Sequence, residues 1–179
     1  MRFISTFILK SVLGWKIIGD FPNHLMKYVI IAAPHTHWMD FPLGLLVKWA
    51  QGVPANYIGK ASLFKPPFGF IFRWLGGTPV HRDQRTNLVQ AIIDIFNSRD
   101  QFILGISPEG TRKKVTKWKT GFYYIAKGAE IPIVMATLNF KDKEIKISEP
   151  FFPTEDKEAD FNQIRSYFDG VIGKIPEYS

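Results

Sequence analysis

A histidine and an aspartate that could act as a catalytic pair stand in the segment PHTHWMDFP, residues 34–42. Near neutral pH a histidine can take the proton of a hydroxyl, and a carboxylate on its other ring nitrogen fixes the tautomer. His35 and Asp40 are five residues apart, which would not place them on one face of a straight helix. Pro34 and Pro42 are typical of a sharp turn between a strand and a helix, where the two side chains could meet. The segment therefore predicts His35 as a general base oriented by Asp40.

Other interpretations of the same residues stay open at this point. Asp40 could be the N-cap of a helix that begins near Pro42, and His35 could be a histidine that serves only a turn or the core. His35 and His37 could also bind a metal in a hydrolase. That site would need further ligands, and only His24 and His81 remain.

A second cluster, ISPEGTRKK at residues 106–114, has the composition of an anion site. The backbone N–H groups around Gly110 and Thr111 could hold an anion, and Arg112 could bind a phosphate with two hydrogen bonds. Glu109 could orient Arg112 or a substrate hydroxyl. The plainer alternative is a polar turn with a solvated basic face.

The elements that would position these residues are predicted strands, each followed by a polar side chain. The candidate strands are YVIIAA, NYIGK, GTPV, FILGIS and IPIVMATLNF. His35 follows the first, Lys60 ends the second, Arg82 follows the third, and Glu109 and Arg112 follow the fourth. Ligands bind outside the carboxyl ends of strands in open α/β sheets, so we expect these residues to converge on one site.

Apolar residues at helical spacing predict helices between the strands. They lie at residues 88–96, at residues 122–126 with Gly128 as the stop, and at residues 161–172. Strands that alternate with helices, without a linker or repeat, predict an α/β fold. We expect a single domain over residues 1–179, with a mixed, largely parallel central sheet flanked by helices.

Composition limits the possible partners and chemistry. The chain carries a net charge of +7 and no cysteine, which favours anionic partners and excludes disulfides and thiolate nucleophiles. No apolar run reaches the length of a membrane-spanning helix. Residues 1–13 could instead form an amphipathic helix on a membrane surface or a helix that covers the core. The aromatic segment at residues 63–75 could line an acyl pocket, enter a membrane interface or pack in the core.

The chain resembles the glycerolipid acyltransferases over about residues 14–140, in four ordered motifs. These are His35-x4-Asp40, Arg82 after a Gly-Gly segment, Pro108-Glu109-Gly110-Thr111-Arg112, and Ile131-Pro132-Ile133. It is most similar to short bacterial 1-acyl-glycerol-3-phosphate acyltransferases. The resemblance implies His35 as the base with Asp40 orienting it, and Glu109, Gly110, Thr111 and Arg112 in the acceptor site. Arg82 would contact the acceptor phosphate, with Lys60 and the Gly110 amide as candidates for stabilising the oxyanion.

The same resemblance implies a reaction and its partners. The donor would be acyl-CoA or acyl carrier protein, and the acceptor a lysophosphatidate-like lipid, with no metal and no bound cofactor. An aminolipid or another hydroxylated lipid is the alternative acceptor. We expect a cytoplasmic protein on the inner face of the cell membrane. A noncatalytic binder of anionic membranes is a further possibility, and no sequence motif suggests nucleic acid.

Overall fold

The chain folds around a parallel five-stranded sheet in a computed structural model that describes residues 1–80 and 85–179. The strands of this sheet are β2 (Lys27–Ala33), β3 (Ala55–Lys60), β4 (Gly77–Val80), β5 (Phe102–Ile106) and β6 (Ile133–Thr137). Their spatial order is β4-β3-β5-β2-β6, and each neighbouring pair is parallel. Two short strands, β1 (Lys16–Ile18) and β7 (Glu144–Lys146), form a separate parallel pair. The expected α/β architecture is confirmed.

Helices connect the strands and cover both faces of the sheet. They are α1 (Arg2–Phe7), which continues as a π-helix over Ile8–Val12, α2 (Asp40–Gln51), α3 (Gly69–Trp74), α4 (Arg85–Ser98), α5 (Gly121–Gly128) and α6 (Lys157–Ser166). Short 3₁₀ turns lie at Ala61–Phe64 and Pro176–Tyr178. Among the described residues, none of these helices is both long and apolar enough to cross a bilayer.

The core has two halves because side chains alternate between the faces of each strand. Along β2, Val29 and Ile31 belong to the cluster beneath α4, α5 and α6, whereas Tyr28 and Ile30 belong to the cluster beneath α2. All four are less than one-tenth exposed. A parallel strand that is buried on both faces has the continuous apolar sequence seen at residues 28–33.

One helix prediction needs correction, and the sequence marks another helix only by its start. The apolar spacing at residues 161–172 predicts one long helix, but α6 ends at Ser166, and Phe168 and Ile172 pack outside it. Phe168 lies against Trp118 with ring centroids 5.3 Å apart, so its apolar character reflects a tertiary contact. The sequence indicates helix α2 only by a possible start near Asp40. Its residues give no clear helical pattern, because Pro42 and Gly44 are mixed with apolar residues on several faces.

Candidate active site

His35 and Asp40 meet at the carboxyl end of β2, as their spacing around a turn predicts. His35 Nδ1 lies 2.9 Å from Asp40 Oδ2, and the His35 side chain is 24% exposed whereas that of Asp40 is 2% exposed. An ionised carboxylate only accepts hydrogen bonds, so the proton of this pair belongs on Nδ1. Nε2 is then left with its lone pair, which is the arrangement that a general base requires.

The Asp40 carboxylate is held where helix α2 begins. Oδ2 accepts the backbone N–H groups of Thr36 and His37, each at 2.8 Å, in addition to facing His35. Asp40 is the first residue of α2 and Met39 is the N-cap, so the side chain closes the turn in front of the helix. Asp40 therefore stabilises the start of the helix, much as an N-cap residue would. It also contacts His35, which a capping role does not explain.

Glu109 ties the second motif to the first. One carboxylate oxygen accepts the backbone N–H of His35 at 3.0 Å, and the other accepts the Ser107 hydroxyl at 2.6 Å. Glu109 is only 7% exposed. Glu109 thus contacts His35 and Ser107, and no ion pair between Glu109 and Arg112 is present among the described residues; that Glu109 orients Arg112 or a substrate hydroxyl stays a prediction. The role of Ser107 is not predicted from the sequence, although the residue lies within the cluster at residues 106–114.

The rest of the second motif forms an exposed basic loop after β5. Gly110 has a φ of 62°, and its amide donates to the Ser107 carbonyl at 3.2 Å. That amide takes part in the turn, and its role toward an oxyanion stays a prediction. Thr111 is exposed and accepts the Lys113 amide at 3.4 Å. Arg112 lines the same pocket as His35.

The remaining two predicted residues are placed less informatively. Lys60 is exposed at the carboxyl end of β3, on the same sheet edge as His35, and the pocket beside His35 is lined by other residues. Arg82 lies outside the described residues. His35 and His37 are not accompanied by a metal-ligand set, since residues 1–80 and 85–179 contain no group of three or more such side chains.

An apolar cavity of about 310 Å³ opens beside His35 between helix α2 and the sheet. Small residues line much of it and leave room for a ligand: Ala32, Gly44, Ala55, Gly105 and Ala136. Its lining includes Ile30 and Ala32 of β2 and His35 just beyond the end of that strand. The cavity is lined mainly by apolar side chains, which suits a hydrocarbon chain.

The cavity wall contains the half-buried amine of Lys48. Lys48 of α2 lines the cavity and donates through Nζ to the Leu75 carbonyl at 3.1 Å, at the end of α3. Burial lowers the pKa of Lys48. Of the aromatic segment at residues 63–75, Leu75 alone contributes to the described lining of this cavity. The small residues that line the cavity belong to no sequence motif, so the sequence does not single them out.

A parallel α/β domain with a histidine–aspartate pair beside an apolar cavity has the features of an enzyme that acts on an apolar substrate. The chain belongs to the Acyltransferase family, whose profile matches residues 20–138, well over half of the sequence. The resemblance found in the ordered motifs is thus confirmed, and the protein is an acyltransferase.

A solved structure supports the same fold. The chain is similar to the crystal structure of the 1-acyl-sn-glycerophosphate (LPA) acyltransferase PlsC from Thermotoga maritima, with 20% identity and a TM-score of 0.58. The match covers 91% of this chain and 77% of the other. No curated protein matches the sequence.

Proposed function

We propose that this acyltransferase moves a fatty acyl group from acyl-CoA or acyl carrier protein to the hydroxyl of a lysophosphatidate-like lipid. The observation that carries the proposal is the contact between the His35–Asp40 pair and the apolar cavity. The cavity accommodates the acyl chain, so the thioester carbonyl comes to lie near His35. The acceptor supplies the nucleophile and the protein supplies the base.

The reaction follows from where the proton of the hydroxyl goes. His35 Nε2 removes it as the oxygen attacks the thioester carbonyl, and Asp40 stabilises the imidazolium that forms. The tetrahedral oxyanion then collapses, the C–S bond breaks, and the imidazolium returns the proton to the departing thiolate. Lys60 and Arg112 are our candidates for stabilising the oxyanion.

An acceptor with a phosphate is favoured by the basic loop after β5. Arg112 is followed by exposed lysines with no acidic residue before Glu130: Lys113, Lys114, Lys117 and Lys119. Arg82, which lies outside the described residues, is proposed as a further phosphate contact. An uncharged hydroxylated lipid or an aminolipid would leave this cluster without a partner, so we place those acceptors second.

The test of this function is thiol release from palmitoyl-CoA and palmitoyl-acyl carrier protein, with and without lysophosphatidic acid. We expect acceptor-dependent release and a product with the mass of phosphatidic acid. Release that is equally fast without any acceptor would indicate a thioesterase. Release with an aminolipid alone would replace the proposed acceptor.

The enzyme is further proposed to work on an anionic membrane surface. Helices α1 and α3 both expose large apolar side chains, with Phe3 84%, Phe70 68% and Trp74 66% exposed. Both helices flank the end of α2: Arg2 Nε donates to the Ala50 carbonyl at 3.2 Å, and Trp74 lies 5.9 Å from the Trp49 ring. We infer that the exposed side chains of α1 and α3 contribute to one apolar surface around the end of α2.

Charge complementarity supports an anionic membrane as the partner of this surface. Residues 1–80 contain eight lysines and arginines but only two acidic residues, Asp20 and the buried Asp40. Aromatic side chains interleaved with basic ones are typical of segments that lie at a lipid interface. Because acyl thioesters are made inside the cell, we propose that this interface is the inner face of the cell membrane.

Replacing Phe70 and Trp74 together by serine is expected to weaken binding to phosphatidylglycerol vesicles about 30-fold or more. Each large side chain contributes roughly 1.5–3 kcal/mol when it leaves water. Co-sedimentation with vesicles measures this, and Phe152→Ser is the matched control because Phe152 is 59% exposed and lies after β7. Equal losses in both variants, or none in either, would contradict the proposed surface.

A further inference from the structure

The residue between the two histidines, Thr36, is fixed by a distant part of the chain. Its side chain is buried, with 2% exposure, and Oγ1 accepts the backbone N–H of Ile175 at 3.1 Å. Its own backbone N–H donates to Asp40 Oδ2. Thr36 therefore joins the Asp40 carboxylate to a segment 139 residues further along the sequence.

That segment is residues 171–179, which we call the C-terminal strap. Besides its bond to Thr36, it makes hydrogen bonds to the rest of the chain and within itself. The Ile172 carbonyl accepts the Phe140 amide at 2.8 Å, and the Gly173 amide donates to the Ser179 hydroxyl at 2.8 Å. Gly173 packs so closely that a Cβ there would lie 2.7 Å from both Cγ2 and Oγ1 of Thr36. The backbone of the strap thus packs directly against the Thr36 side chain, and a side chain at residue 173 would displace Thr36 or the strap.

The orientation of Asp40 depends on few contacts. The neighbours that fix it, at 2.8–2.9 Å, are the ring nitrogen of His35 and the amides of Thr36 and His37, all at Oδ2. The other oxygen, Oδ1, is buried without a hydrogen-bond partner among the described residues. A shift of the Thr36 backbone would therefore turn the carboxylate relative to His35.

We infer that Thr36 is a positioning residue, through which the C-terminal strap sets the orientation of the His35–Asp40 pair. The inference rests on the proposed function for its kinetic consequence, but its structural part does not. The strap acts on the base and not on the acyl cavity, whose lining includes neither Thr36 nor any strap residue. It should therefore govern turnover and leave donor binding unchanged.

The kinetic test compares Thr36→Val with Thr36→Ser. Valine keeps the shape but orphans the Ile175 N–H, so we expect kcat to fall about tenfold while KM for the acyl donor stays within about twofold. Serine keeps Oγ1 and should restore kcat to within about threefold of wild type. Gly173→Ala should resemble Thr36→Val, and the exposed Glu177→Ala of the same strap should resemble wild type. A Thr36→Val enzyme with wild-type kcat, or with kcat reduced only in proportion to a lost folded fraction, overturns the inference.

A second measurement tests the positioning role without turnover. The proton on His35 Nδ1 should give a low-field NMR signal that disappears in Asp40→Asn, which assigns it. We expect the signal to persist in Thr36→Ser and to be lost or broadened in Thr36→Val and Gly173→Ala at unchanged melting temperature. An unchanged signal in Thr36→Val would overturn the inference. If wild type turns over no thioester, the proposed function fails, and this signal still decides the role of Thr36.

Discussion

The His35→Ala variant should lose acyl transfer by between about 10²- and 10⁴-fold in kcat, the range that a positioned general base contributes. The reason is that His35 is the only histidine of the described residues that lines the cavity. The His35 side chain is 24% exposed. When the imidazole is removed, Asp40 still accepts two backbone N–H groups, so the fold should survive. Thiol release under saturating donor and acceptor measures the effect, with the melting temperature as a check on folding.

His37→Ala is the matched control for this prediction. His37 lies two residues away, and its Nδ1 accepts only the Met39 amide at 3.3 Å, outside the Asp40 contact. We expect the His37 variant to keep kcat within a few-fold of wild type. Equal losses in both variants, reversed by adding Zn²⁺, would instead favour the metal-dependent hydrolase interpretation.

Asp40→Asn extends the same argument to the orienting group. An amide in place of the carboxylate removes the charge that stabilises the imidazolium, and it favours the wrong tautomer of His35. The loss should thus approach that of His35→Ala, although the geometry is nearly preserved. A variant that retains more than about one-tenth of wild-type kcat would show that Asp40 has only its structural part in the turn.

The catalytic pair was predictable because its signal is local. A histidine and an aspartate between two prolines, directly after a buried apolar run, place both side chains at one strand end whatever the details of the sheet. The position of Glu109 at the next strand end was predictable in the same way. Its actual contacts, to the His35 amide and the Ser107 hydroxyl, depend on the adjacency of β2 and β5, which no local pattern encodes.

The cavity could not be predicted because its signal is the absence of side-chain volume. Ala32 and Ala136 occupy strand positions that sequence patterns treat as ordinary core, and Gly105 is simply a weak strand residue. Only the paired strands and the overlying helix show that these small residues surround a common space. Large apolar residues are conspicuous in a sequence and small ones are not. The aromatic segment at residues 63–75 therefore favours an acyl-pocket interpretation when the sequence is taken alone.

Filling the cavity from helix α2 should change which acyl donors the enzyme accepts. Gly44 lines the cavity, and a Cβ built there meets no atom within 4 Å, so a larger residue can enter without a clash. Gly44 is exposed at the cavity and lies four residues after Asp40, about 6 Å along the helix. A leucine at this position would occupy the space that the middle of a long acyl chain needs.

Gly44→Leu is expected to lower kcat/KM for palmitoyl-CoA about 60- to 200-fold and to leave butyryl-CoA nearly unaffected. The estimate follows from excluding three or four methylene groups at about 0.8 kcal/mol each. The variant should be at least as stable as wild type, because glycine in a helix interior costs about 1 kcal/mol relative to alanine. Measuring kcat/KM across donors of increasing chain length, beside the melting temperature, gives both quantities.

Gly44→Ala serves as the control, since one methyl group gains the helix stability without filling the cavity. If Gly44→Leu lost long and short donors equally, its side chain would be disturbing His35 and not the acyl chain. If it lost neither, the acyl chain would have to bind outside this cavity, and the exposed aromatic surface of α3 would become the place to look. A selective loss of long donors in an equally stable protein is the result that the space beneath α2 predicts, because it separates the acyl chain from the base that acts on its carbonyl.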